Sequence, residues 1–157
     1  MNSWQLGSIN QADELEPILA IEQRCFRWPW GRLSFEGELS CQNSCNYIVK
    51  SSANGTGEQV VAYAFFRRLA DELHLLKIAV TPDYRGHGIA TRLLERSFRI
   101  NAKKGATSVH LEVRPSNTAA IELYLKLGFE VIGRRHKYYA DTKEDALLMM
   151  KNLKEEL

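Results

Sequence analysis

Ile78-Ala79-Val80-Thr81-Pro82-Asp83-Tyr84-Arg85-Gly86-His87-Gly88-Ile89-Ala90 decides the fold, because it carries an apolar strand into a helix across two glycines. Upstream, Leu73–Val80 reads as the strand. Downstream, Ile89, Leu93, Leu94 and Phe98 recur at helical spacing up to about Lys104, where Gly105 is a natural stop. Ser108–Val113 then alternates, with Val109, Leu111 and Val113 on one face and His110 and Glu112 on the other. Strand, helix and strand in that order predict a βαβ crossover.

Working towards the start, Leu73–Val80 follows two further extended runs, Tyr47–Ser51 and Val60–Arg68, joined by Asn54-Gly55-Thr56-Gly57. Asn and Gly reach positive φ cheaply, so the spacer reads as a hairpin turn and the three runs as an antiparallel meander. Ahead of them stand a short strand near Trp4–Ile9 and a helix from about Gln11 to Arg24, with Leu15, Ile18, Leu19 and Phe26 on or near one face. Pro29 and Gly31 then break the chain after Phe26-Arg27-Trp28-Pro29-Trp30, and a second helix runs from about Leu33 to Ser40. Towards the end, Asn117 caps a helix from Thr118 to about Leu127, stopped by Gly128. Two extended runs, Glu130–Tyr138 and Asp145–Asn152, close the chain. The expectation is one mixed α/β domain over residues 1–157, with an antiparallel first half, a βαβ crossover and a C-terminal β-hairpin, flanked by helices.

Composition narrows the functional classes. The 157 residues fit one domain, and 45% hydrophobic with 25% charged residues is an ordinary globular mix. No apolar run approaches the ~20 residues of a membrane span, and Met1-Asn2-Ser3-Trp4-Gln5 does not open a secretory signal. A net charge of +2, from 21 basic and 19 acidic residues, is too balanced to predict direct nucleic-acid binding. Cys25, Cys41 and Cys45 cannot all pair and read as buried or inert thiols of a reducing cytosol. Cys41-x-x-x-Cys45 has no second half for zinc, and His74, His87, His110 and His136 lie on different elements. A cytoplasmic protein without metal or membrane contact is expected.

The turn itself favours an anion. Helical N–H groups without partners point outward there, the dipole adds partial positive charge, and Gly86 and Gly88 allow close approach. Arg85 and Arg92 offer charge-assisted contacts. A tight turn without a ligand is the plain alternative. A dinucleotide site fits poorly, since Thr91 stands where a third glycine belongs and only one βαβ unit is present. A Walker loop lacks its Gly-Lys-Ser/Thr.

Arg85-x-x-Gly88-x-Ala90 after Ile78-Ala79-Val80 resembles the acetyl-coenzyme A signature of the GNAT-family N-acetyltransferases. Leu111-Glu112-Val113-Arg114-Pro115-Ser116-Asn117, continuing to Phe129, resembles the second block of that family, and in particular of its RimI-type ribosomal-protein-alanine N-acetyltransferases. Ile21-Glu22-Gln23-Arg24 leading to Trp28-Pro29-Trp30, and Arg134-Arg135-x-x-Tyr138-Tyr139 leading to Glu144-Asp145-Ala146, extend the likeness over nearly the whole chain. Two positions depart from the commoner pattern: Arg85 stands where relatives often have glutamine, and Ala90 where glycine is usual.

The resemblance implies a GNAT-like mixed sheet and acetyl-CoA as co-substrate. Its pantetheine arm would run along Ile78, Ala79 and Val80 as an added strand. Its phosphates would meet Arg85, Gly86, His87, Gly88, Ile89, Ala90 and Thr91, and Asn117 would both cap its helix and contact the arm. The resemblance further implies Glu112 as general base and Tyr124 as proton donor to the leaving thiolate. Tyr138 and Tyr139 would lie near a peptide groove, with cross-strand packing as the alternative.

The chemistry explains these residue types. A free α-amino group has a pKa of about 7.7–8.0 and is mostly protonated at neutral pH, so a carboxylate must take its proton. No covalent intermediate is required. Direct attack in a ternary complex suffices, with the oxyanion held by a backbone N–H at the end of the Ile78–Val80 strand. The implied substrate is the N-terminal alanine of the eighteenth small-subunit ribosomal protein, and the implied state a monomer. Lysine or small-molecule amines remain alternatives. So does a non-catalytic acyl-CoA-binding regulator, against which the presence of both Glu112 and Tyr124 argues.

Overall fold

A computed structural model describes residues 3–9, 14–52, 55 and 57–154. Seven strands and four α-helices follow one another as β1 (Ser3–Ser8), α1 (Leu15–Cys25), α2 (Arg32–Ser40), β2 (Ser44–Ser52), β3 (Glu58–Leu69), β4 (Glu72–Val80), α3 (Ile89–Lys103), β5 (Ser108–Val113), α4 (Thr118–Lys126), β6 (Glu130–Arg135) and β7 (Ala146–Asn152). A 3₁₀ turn, Pro82–Tyr84, separates β4 from the glycines. The strands form one mixed sheet in the order β1-β2-β3-β4-β5-β7-β6. No helix among the described residues is long and apolar enough to cross a membrane. The chain divides into two compact units, Met1–Arg67 with Lys77–Ser97, and Arg68–Leu76 with Phe98–Leu157.

In the first unit, β1 pairs antiparallel with β2 from Ser3↔Ser52 to Ser8↔Tyr47, and β2 pairs antiparallel with β3 across a register shift at Val49/Lys50. Burying aromatic rings drives this half together. Phe35, Tyr63, Phe65 and Phe66 are wholly buried, and Phe35 lies 5.1 Å from Phe65 and 5.9 Å from Tyr63 between ring centroids. Helix α1 turns Leu15, Ile18, Ile21 and, unusually, the Glu22 carboxylate inward. Buried charge must be paired to survive. Glu22 accepts from the Trp30 N–H at 2.9 Å and from the Tyr63 hydroxyl, and it meets the Lys77 Nζ at 2.6 Å. Burial first, and then Glu22, push the Tyr63 hydroxyl far above its ordinary pKa.

In the second unit, β4 runs parallel to β5 from Glu72↔Ser108 to Leu75↔Leu111. β7 pairs antiparallel with both β5 and β6, a bulge interrupting the latter pair between Val131 and Gly133. The expected alternation holds: Val109, Leu111 and Val113 are buried, and Ser108, His110 and Glu112 are half-buried.

Several boundaries move. Helix α1 begins at Leu15, the expected start at Gln11 lying outside the described residues. It ends at Cys25, so Phe26 leaves the helix in an extended conformation with φ −125°. The β2–β3 turn places Gly55 and Gly57 at positive φ, while Asn54 and Thr56 lie outside the described residues. Strand β6 stops at Arg135 and not at Tyr138, because Lys137 adopts φ 48° and gives its N–H to the Asp145 carboxylate at 2.9 Å. Tyr138 and Tyr139 therefore stand on a loop, which removes cross-strand packing as their explanation. None of the three cysteines forms a disulfide, and all three are only half-buried. Two of the four histidines do meet, His74 stacking on His110 at 5.2 Å across β4 and β5.

Candidate functional site

The glycine turn belongs to the first unit. Gly86 and Gly88 take φ 79° and 77°, a conformation strained for any residue with a Cβ. A Cβ placed on either would meet no atom within 4 Å, so the space above the turn is open. The first helical bond of α3 is Arg92 N–H to the Gly88 carbonyl at 3.1 Å. The N–H groups of Ile89, Ala90 and Thr91 are thus left without helical acceptors. A cavity of about 110 Å³ lies over them, lined by Val80, Tyr84, Arg85, Gly86, Gly88, Ile89, Ala90 and Thr91. Open space, unsatisfied donors and the positive helix end together suit a phosphate.

The side chains around the turn are largely turned back onto it. Arg85 donates Nε to the Val80 carbonyl at 3.0 Å and Nη2 to the Cys25 sulfur at 3.2 Å, so its guanidinium braces the strand end. His87 places Nδ1 at 2.9 Å from the Arg85 carbonyl and 3.2 Å from that of Tyr84. Both partners are acceptors, so Nδ1 carries the proton. Arg24 reaches from α1 to Thr81 at 3.1 Å and Asp83 at 3.4 Å, clasping the same connector. The Thr81 N–H is already given to the Val61 carbonyl at 2.8 Å, which leaves it unavailable to an oxyanion.

In the second unit, Glu112, Tyr124, Tyr138 and Tyr139 lie on three segments: β5, α4 and, for the last two, the β6–β7 loop. The Glu112 carboxylate meets the Arg135 Nε at 3.2 Å, and its nearness raises the pKa of the Tyr138 hydroxyl. Tyr124 is buried against Phe129, and its hydroxyl is pushed up to about 12, first by burial and then by Tyr139. Tyr139 also rises to about 12, again chiefly through burial. A phenol so shifted keeps its proton at neutral pH. Asn117 Oδ1 accepts from the Ala120 N–H at 3.2 Å, which establishes its capping role.

The sequence reading missed three contributors. Arg114 grips Asp141 through two bonds, of 2.8 and 2.7 Å, while its guanidinium lies 3.9 Å above the Tyr139 ring. Arg135 pairs with Glu112, and Cys25 with Arg85. Arg114 and Arg135 both fall inside the stretches that carried the resemblance, but Asp141, Tyr139 and Glu112, which they meet, lie 23 or more residues away and no local spacing signals them. Beside Pro29, Trp30 packs at 5.3 Å from Phe35, whereas Trp28 is 49% exposed. Among the described residues no three His, Cys, Asp or Glu side chains converge as metal ligands would.

Known proteins place this architecture. The bS18-alanine N-acetyltransferase of Escherichia coli is 36% identical over 141 residues, which cover 88% of this chain and 91% of that protein. The N-alpha-acetyltransferase RimI of Mycobacterium tuberculosis is 35% identical over 156 residues, covering 94% and 91%. The crystal structure of the E. coli ribosomal-protein-alanine N-acetyltransferase matches with a TM-score of 0.83 at 34% identity, over 98% of this chain and 94% of that one. Residues 15–129, which run from the first turn of α1 to the end of the α4 block, match the profile of the Acetyltransferase (GNAT) family, and the chain belongs to that family.

Proposed function

We propose that this acetyltransferase moves the acetyl group of acetyl-CoA onto the N-terminal α-amino group of a protein, the alanine of ribosomal protein bS18, by direct attack in a ternary complex. The observation that carries the substrate is the 36% identity, over 88% of the chain, to an E. coli enzyme named for that alanine. The co-substrate reading rests on the open turn at Gly86 and Gly88, whose free N–H groups suit the pyrophosphate. Val80, with Ile78 and Ala79 before it, offers β4 backbone beyond the Leu75↔Leu111 pair for the pantetheine arm.

The thioester supplies the acetyl group. Glu112 takes the proton of the substrate ammonium, directly or through water, and frees the nitrogen lone pair. The nitrogen bonds to the carbonyl carbon, the carbon–sulfur bond breaks, and Tyr124 supplies the proton to sulfur. Glu112 passes the first proton to solvent. The nitrogen, cationic after attack, sheds a second, which restores the Tyr124 phenol through solvent. Ammonium and thioester thus give amide, thiol and one released proton. Arg135, 3.2 Å from Glu112, holds that carboxylate in place, and Tyr138 beside it lines the approach of the peptide.

Peptides separate this reading from lysine acetylation. A peptide with a free Ala-Arg start is expected to be acetylated at its terminus, and the same peptide blocked there but carrying lysines is expected to react poorly. Comparable rates on the blocked peptide, read by mass spectrometry, would make lysine the substrate.

A further inference from the structure

Every exposed residue of α3 is basic: Arg92, Arg96, Arg99 and Lys103. At ~100° per residue the four fall within an arc of about 60°, so they form one row along the helix. The opposite face, with Leu93, Leu94, Phe98 and Ala102, is buried in the core. Neighbours in the row stand three or four residues apart, where like charges repel and weaken a helix. The helix dipole favours Lys103, in the last turn, and disfavours Arg92, in the first; it accounts for neither Arg96 nor Arg99. Glu95 is the one acidic residue of the helix, and it is half-buried. Among the described residues Arg96, Arg99 and Lys103 join no ion pair. A solvated helix face ordinarily mixes the two signs of charge. A row of one sign, held against its own repulsion, points to an anion outside the chain. The net charge of +2 conceals it, because placement along one helix matters here and not the total.

The row also says what kind of anion. From Arg96 to Lys103 it runs about 10 Å, the axial span of about three phosphates on one nucleic-acid strand. A membrane surface would need an apolar face free to enter it, and this helix commits its apolar face to the core. A protein interface would centre on exposed apolar or aromatic side chains, of which the helix has none. A phosphate backbone needs only cations in line. We propose that Arg96, Arg99 and Lys103 dock the phosphate backbone of ribosomal RNA and so hold the enzyme beside the particle that carries its substrate. The choice of RNA rests on the bS18 reading above. Arg92, at the glycine turn, is left to the cofactor.

Fluorescence anisotropy with a short labelled RNA duplex, with and without saturating acetyl-CoA, tests the row. The wild type should bind, with a logarithmic salt dependence of about one per phosphate neutralised, and acetyl-CoA should leave the affinity unchanged. Arg99→Gln/Lys103→Gln, altered only at exposed positions, should bind roughly tenfold more weakly at low salt and lower that slope by about two. Its kcat/KM on a free Ala-Arg peptide should match the wild type, since neither residue belongs to the turn or to the acid–base pair. No binding of RNA by the wild type, an unchanged slope in the variant, or displacement of the RNA by acetyl-CoA would overturn the proposal. So would tighter binding to phosphatidylglycerol vesicles that the same variant loses. A wild type that binds the duplex but leaves the peptide unacetylated would overturn the bS18 reading, and with it ribosomal RNA as the occupant.

Discussion

Glu112 and Tyr124 carry opposite duties in the proposed reaction, and pH separates them. Glu112→Gln keeps the shape and removes the base, so turnover should fall by roughly 10²–10⁴. Part of that loss should return above about pH 8, where the α-amine deprotonates unaided. Tyr124→Phe should also slow turnover, without recovery at high pH, since the sulfur still lacks its donor. Wild-type rates for both variants across the pH range would leave catalysis to positioning alone. Tyr124 also makes a stability prediction. Its folded pKa of about 12 lies above the ordinary 10.0, so the fold favours the neutral phenol. That contribution, roughly 2 to 3 kcal/mol, is complete below about pH 10 and disappears as the pH rises towards about 12. Urea unfolding across this range should show the loss in the wild type and a smaller one in Tyr124→Phe; equal losses would refute the assignment. Strand alternation made the outward face of Glu112 legible in the sequence. The inward turn of Arg85 was not, because its second partner, Cys25, is 60 residues away.

At the scale of elements, the connector from Phe26 to Gly31 owes its path to one buried carboxylate. Glu22 takes the Trp30 N–H, while Lys77 lies 3.7 Å from the Phe26 centroid and 5.2 Å from that of Trp30. Lys77→Met would remove the cation and strand Glu22 in the core, at a cost of about 3 to 5 kcal/mol. Adding Glu22→Gln should restore part of the stability in chemical denaturation, because the stranded charge is gone. A single variant as stable as the wild type would show that the pair holds nothing. The sequence predicted the aromatic cluster and the break at Pro29, but not this anchor, since helical periodicity marks Glu22 only as a polar residue on an amphipathic helix. The end of β6 was hidden for a related reason: a positive φ at Lys137, held by a carboxylate eight residues on, stops a run that looks extended throughout.

At the scale of the whole molecule, the meander and the βαβ crossover were legible because hairpin turns and crossover handedness constrain neighbours in the chain. The insertion of β7 between β5 and β6 was not. It follows from composition: Ala146, Leu147 and Met149 are buried in an interior strand, whereas β6 has Val131 and Ile132 about half exposed among charged neighbours at the sheet edge. The chemistry claimed for this fold reduces to the position of one acetyl group. Ribosomal protein bS18 with an unmodified N-terminal alanine, incubated with this protein and isotopically labelled acetyl-CoA, can be sequenced by tandem mass spectrometry. The account predicts label on the α-nitrogen of that alanine, and none when Glu112→Gln replaces the wild type at neutral pH over the same interval. Label on lysine side chains, or an unlabelled terminus with the wild type, would contradict it.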